Sequence, residues 1–326
     1  MRKYFGLVIG TLLSLFLSNC SKEDTTLNSS KDKVVYVIGN IRDDVSSTCT
    51  TKYWKNDIAS EIGLHSVATS IYVYGSDVYM AGWTASTQHQ AVYWKNAVLK
   101  YLTDGSKDAE AFSIFTSGSD IYVAGYEGNI AKYWKNGIGV NLTNGISVAQ
   151  ATSIFVSGND VYIAGVEGNI AKYWKNGVAI NLSNGEIPTE ATSIFVSGND
   201  VYIAGYNTSV SMYWKNGVAV NLTDGKTHSN ANSIFVTGND IYVAGSEGPG
   251  SMNDKALYWK NGISVYLVDG REALSIFVSG NDVYVAGAKS NDPLTSQSIA
   301  KYWKNGVSVN LTDGTKKSWA TGIFVK

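Results

Sequence analysis

"SIFVSGNDVYIAGVEGNIAKYWKNGVAINLSNG", Ser153 to Gly185, decides the fold. It divides into four short β-prone runs separated by turn signals. "SIFV" (strand a) and "VYIAG" (strand b) are joined through Ser-Gly-Asn-Asp, whose Gly and Asn tolerate the positive φ of a tight hairpin. "EGN" leads to "IAKYWK" (strand c). Asn176-Gly177, the commonest two-residue hairpin signal, leads to "VAINLS" (strand d). Strands a and b are apolar on both faces, which predicts a small sheet covered on both sides. Strand d alternates apolar residues with Asn and Ser, as suits an outer edge.

The stretch recurs along the chain. "YWKN" begins at Tyr53, Tyr93, Tyr133, Tyr173, Tyr213, Tyr258 and Tyr302, with spacings of 40, 40, 40, 40, 45 and 44 residues. Four-stranded units of about forty residues are the signature of a β-propeller blade. The expected fold is therefore all-β, a seven-bladed β-propeller of four-stranded antiparallel blades over residues 33–326. Its first unit, "KVVYVIGN" (33–40), is a strand b with no strand a before it. Its last, "ATGIFVK" (320–326), is a strand a with no strand b after it. An unpaired apolar strand is an aggregation hazard. The strand count balances only if 320–326 joins the three strands of 33–64 and closes the ring.

Two details resemble known propeller families. "IAKYWKNG" sits where a WD repeat carries its Trp-Asp, and "VYIAGY" resembles the glycine end of a kelch strand b. Lys follows the Trp here, and the Gly-His pair and double glycine of those families are missing. The resemblance covers residues 33–326 and implies fold alone.

Ahead of the repeats, "MRK", the apolar "FGLVIGTLLSLFL" and "LSNC" read as a signal peptide, the apolar run being short for a membrane span. Leu17-Ser18-Asn19-Cys20 resembles a bacterial lipobox, and "CSKED" resembles the acidic tag of surface-exported lipoproteins of Bacteroidetes. The resemblance implies a signal peptide over 1–19, lipid on Cys20, and a polar tether over 20–32. It implies an outer-membrane lipoprotein at the cell surface, with the periplasmic face as the alternative. Cys49 is then a lone thiol, so neither a disulfide nor a Cys-rich metal site is expected. Only 16% of the 326 residues are charged and the net charge is −1, which gives no electrostatic reason to expect a nucleic acid.

Residues that repeat read first as scaffold. The Tyr of strand b and the Tyr-Trp pairs of strand c suit large rings packed between blades with their polar tips hydrogen-bonded. The seven Lys after each Trp suit a solvated ring near the c–d turns, and the Asp of "SGND", such as Asp160, suits a cap on its own turn. Catalytic signals are sparse. The three His lie at no metal-ligand spacing, no phosphate loop or nucleophile elbow is present, and "ATSIFV" puts no acid on the inner strand.

Residues that do not repeat carry the functional information. The b–c loops are long at 40–51, 83–90, 246–255 and 288–298, in four blades that become consecutive once the ring closes. Two Trp lie outside the repeat pattern, Trp83 and Trp319. Trp319 holds the place of Val67, Glu110, Gln150, Glu190, Asn230 and Glu272, just before strand a. With Arg42, Asp43, Asp44, His65 and His89 they map to one face and form the expected ligand site, unless the Trp only pack beneath the loops. Exposed Trp beside Asp and Arg suits a sugar, and equally a protein hot spot.

The reading is a monomeric, non-enzymatic binding module on a membrane tether, with a glycan or a protein as ligand and no cofactor or metal. The alternatives are a glycan-cleaving propeller with loop-borne catalytic residues, or a purely structural scaffold.

Overall fold

The computed structural model describes residues 33–326, apart from 47, 86, 251–253 and 293–294. The expected signal peptide (1–19), Cys20 and the tether (20–32) lie outside the described residues. Each repeat forms one four-stranded antiparallel sheet with its strands in the order a-b-c-d, seven sheets in all. In blade four these are Ala149–Ser157, Asp160–Glu167, Ile170–Lys175 and Val178–Asn181. Strand d is only four residues long and exposed throughout, and a short edge strand offers little template for pairing with another chain.

Blade one closes the ring. Its strands b, c and d are Val35–Arg42, Cys49–Lys55 and Ile58–Leu64, and its strand a is Lys317–Val325 from the other end of the chain. Val35 pairs with Val325, Tyr36 with Phe324 and Val37 with Ile323. The closing strand begins at Lys317, three residues before the expected 320, and strand a is longer than "SIFV" in every blade. The reason is a bulge. The register slips between Ala151 and Ser153, leaving Thr152 as an extra residue that lets pairing continue upstream to Ala149. Thr152 donates its hydroxyl to Ala164 O of its own blade and to Ala191 O of the next, at 3.1 and 2.6 Å.

The core is a set of seams between blades rather than one central mass. Trp174 and Ile154 of blade four pack on Ala124, Ala131 and Tyr122 of blade three. The seam between blades seven and one is built alike, from Trp54, Ala320, Ile323 and Val325 against Ala286, Ala300 and Tyr284. All seven Trp of strand c are at most 2% exposed. The Ala-Gly of strand b follows from this packing: a Cβ on Gly205 would lie 2.0 Å from Glu190 O and 2.7 Å from the Trp214 ring. Along the channel, Tyr72, Phe115, Phe155, Phe195, Phe235, Phe277 and Phe324 form an unbroken aromatic collar with centroids 4.6–5.3 Å apart. The Phe of "SIFV" thus contacts its copies in both neighbouring blades.

At the end of the sheets that carries the a–b and c–d turns, the repeated polar residues interlock. Asn176, at φ 52°, accepts from Val161 N at 2.9 Å and donates its Nδ2 to Asp160 Oδ1 at 2.8 Å. Lys175 pairs with Asp160 Oδ2 at 2.9 Å, and the Tyr162 hydroxyl donates to the same oxygen at 3.3 Å. Asp160 therefore ties its own turn to the neighbouring one rather than capping itself, and Lys175 is paired rather than merely solvated. Strand register sets this, because Tyr162 lies opposite Lys175. Asp77, Asp120, Asp200, Asp240 and Asp282 make the same bond to their own Asn, each at 2.8 Å. In blade one the Asp position falls on Val34, which pairs with Lys326, but Asn56 still accepts from Val35 N at 2.9 Å.

Candidate functional site

At the opposite, loop face the d–a connections come in two lengths. Ten positions separate Asn181 from Ala191, and the same spacing holds in four other connections. Within this longer form Leu182 N donates to Ala171 O at 2.8 Å and Ala171 N to Ser183 Oγ at 3.0 Å, so the connection folds back over strand c. Only seven positions separate Glu61 from Ala68 and Tyr266 from Ala273. The surface is hollow beside both short connections. The first holds a pocket of about 300 Å³ between blades one and two, lined by His65, Thr84, Trp94 and Leu99. The second holds a cleft of about 490 Å³ between blades seven and one.

This larger cleft gathers Arg42 and Trp319, both expected, with Arg271, Glu272, Lys289 and Lys317. Arg42 ends strand b of blade one. Trp319 is half-buried and lies inside strand a, opposite Asn40, rather than in the preceding loop. Arg271 pairs with Glu272, yet its buried Nε has no hydrogen-bond acceptor. Lys289 pairs with the exposed Asp269 at 3.3 Å. Leu274 and Thr321 line both this cleft and the central channel, so the two adjoin. Four cationic side chains and one carboxylate thus surround one indole.

The other expected residues lie elsewhere on the face. Asp43 accepts from Val45 N and Ser46 N, each at 3.0 Å, and pairs with Lys316 at 2.7 Å. The Lys316 ammonium, with those backbone donors, holds the Asp43 carboxyl well below the usual carboxylate range. Asp44 is exposed. His65 is exposed at φ 56°, in the turn between blades one and two.

Trp83 lies inside strand b of blade two (Asp77–Thr84) and is half-buried. It stacks on His89 at 5.9 Å and meets Phe112 of blade three edge-on at 6.3 Å. His89 Nδ1 is 2.7 Å from Glu110 Oε1 and 3.7 Å from Asp108 Oδ1, while the Tyr126 hydroxyl donates to Asp108 Oδ2 at 2.7 Å. Burial, partly offset by His89, raises the Glu110 carboxyl, and burial with the Asp108 contact raises the Tyr126 phenol. His89, Asp108 and Glu110 are the one His/Asp/Glu group among the described residues whose donor atoms lie within 4.8 Å of one another, a set of nitrogen and oxygen donors able to hold a metal ion.

The seven expected residues therefore divide, with Arg42 and Trp319 in the cleft and Trp83 and His89 against blade three. Arg271, Lys289 and Lys317 were missed. Lys289 had a sequence signal, since it occupies the strand position of Glu127 and Glu167.

No protein-family model matches the chain, and no curated protein matches it. Solved structures share its fold. The β-propeller domain of the trilobed protease from Pyrococcus furiosus superposes with a TM-score of 0.52 at 10% identity, over 86% of this chain and 93% of that one. That domain has an open velcro topology, whereas here the last strand is hydrogen-bonded into blade one. The computationally designed protein Ika8 gives a TM-score of 0.46 at 17% identity, over 86% of this chain and 82% of that one. At 10% identity the likeness to the propeller domain is one of fold.

Proposed function

We propose that this protein is a non-enzymatic binding module on a lipid tether, taking a saccharide in the cleft between blades seven and one. The observation that carries the reading is Trp319 in the wall of a concave site that also gathers Arg42, Arg271, Lys289 and Lys317 as hydrogen-bond donors. An indole offers a flat apolar platform for the face of a sugar ring, and Arg and Lys donors suit its oxygens. A volume of about 490 Å³ matches a small-molecule site rather than a flat protein interface. Glycoside cleavage uses two carboxylates flanking one bond. Glu272 is the one acid among the described cleft residues and is tied to Arg271, which favours holding a ligand over cleaving it. The sequence from Leu17 to Asp24 supports lipid on Cys20 and display at the cell surface.

A glycan-array screen of the full chain beside its Trp319→Ala variant tests this. A retained glycan class should lose about 2 kcal/mol of binding, roughly thirtyfold, in the variant. Retention of no glycan, or undiminished binding by the variant, would overturn the reading. In the same material Cys20→Ser should move the protein from the membrane to the soluble fraction, and its persistence in washed membranes would remove the tether.

A further inference from the structure

Blades three and four neutralise a buried lysine in a way that blade seven reverses. Lys132 and Lys172 sit opposite Gly125 and Gly165 and pair with Glu127 and Glu167, two positions further along strand b. Blade seven keeps the lysine as Lys301, opposite Gly287, but puts Lys289 where the acid belongs. Lys301 is 2% exposed, and its ammonium lies 5.5 Å from the centre of the Trp303 ring. Among the described residues no carboxylate lies within ion-pair distance of it. Burial first and Lys289 second pull its pKa down, and only Asp269 opposes them. Asp269 is itself 59% exposed and engaged by Lys289. A buried cation without a partner is costly, and a like charge beside it adds to that cost.

The same strand positions form a wall of the cleft. Lys289, Arg271, Lys317 and Arg42 line it against Glu272 alone, and the Arg271 Nε–H is buried without an acceptor. Cations outnumber the carboxylate in the cleft as built, and an anionic ligand would offset the excess.

We infer that the saccharide taken by this cleft is an acidic one, a carboxylate- or sulfate-bearing sugar whose ring lies on Trp319 and whose anionic group is held by Lys289 and Arg271. This rests on the saccharide reading above and narrows it. A planar guanidinium matches a carboxylate or sulfate edge, and the ammonium adds charge from the side. Lys289 lowers the stability of its blade and supplies the selectivity, a trade common at binding sites.

The test uses the full chain in detergent with two matched pairs of labelled probes: oligogalacturonate and its methyl ester, and sulfated dextran and dextran. In at least one pair the acidic member should bind at least about tenfold more tightly than its neutral partner. That preference should weaken with added salt. Which pair discriminates tells carboxylate from sulfate. Lys289→Glu, which restores the pairing of blades three and four, should abolish the preference and raise the melting temperature. Equal binding of the acidic and neutral members overturns the charge inference and leaves the saccharide reading standing. Binding of none of the four probes overturns the charge inference, and the glycan array then decides the saccharide reading. An unaltered preference in Lys289→Glu, with no rise in melting temperature, removes Lys289 from the site.

Discussion

The two faces of the propeller use the same strands differently. On the turn face, Asp77, Asp120, Asp160, Asp200, Asp240 and Asp282 each accept from an Asn at 2.8 Å. On the loop face, the corresponding level of strand a holds Trp319, Val67, Glu110, Gln150, Glu190, Asn230 and Glu272, and no two neighbours are alike. The Asp, Asn and Lys of the turn face bind one another in the six blades that carry the Asp. On the loop face Arg271 keeps a buried, unpaired N–H and Lys301 keeps an unneutralised charge. Regularity at one end confines the register of every blade, which leaves the other end free to carry groups that would be liabilities in a scaffold.

The largest effect that separates scaffold from site should come from deleting residues 317–326. The deletion takes Ala320, Ile323 and Val325 from the seam between blades seven and one, and Phe324 from the aromatic collar. The variant should aggregate or lose its cooperative urea transition. A transition as sharp as that of the full chain would show that the ring tolerates an open seam.

A smaller effect is expected at one buried repeat position. Trp134 is 2% exposed, and Trp134→Ala should cost about 3–5 kcal/mol in a urea titration followed by circular dichroism. Trp319→Ala should cost far less stability while removing ligand. Equal losses from the two would make Trp319 a packing residue and dissolve the distinction between the faces.

The smallest effect belongs to a single turn-face carboxylate. Hydrogen bonding from Asn176, then from Lys175, lowers the Asp160 pKa below its ordinary value. A depressed carboxyl contributes stability above its unfolded pKa of about 3.9, and that contribution disappears as pH falls through the folded value. Asp160→Asn should therefore lower the melting temperature slightly at neutral pH, and its curve should converge with that of the parent in acid. A gap that widens on acidification would contradict the assignment.

The fold was legible because one pattern recurs and because its first and last copies are complementary fragments. The upstream reach of the closing strand was less visible. Lys317-Ser318-Trp319 is not strand-like by composition, and pairing continues there only because Thr321 is accommodated as a bulge between Gly39 and Ile38. At the loop face, departure from the repeat did pick out Arg42 and Trp319. It could not separate them from Trp83 and His89, because blade-to-blade contact, not loop adjacency, decides which side chains meet. Arg271 carried the same signal unread, since the other six blades hold Ser66, Ala109, Ala149, Thr189, Ser229 and Ser318 at its position, whereas Lys317 falls where the repeat varies throughout. Arg271 meets the cleft at the end of a connection three residues shorter than five of its counterparts.

Val34 and Lys326 exchange two backbone hydrogen bonds, at 2.8 and 3.0 Å, in the position where every other blade has its a–b turn. In topological terms the propeller is a circle cut at one hairpin. The six remaining a–b hairpins are equivalent places to make that cut, since joining Val34 to Lys326 by a similar turn would disturb none of the seams. A circular permutant of residues 34–326 starting at any of these hairpins should therefore keep all seven seams, and its urea transition would check this.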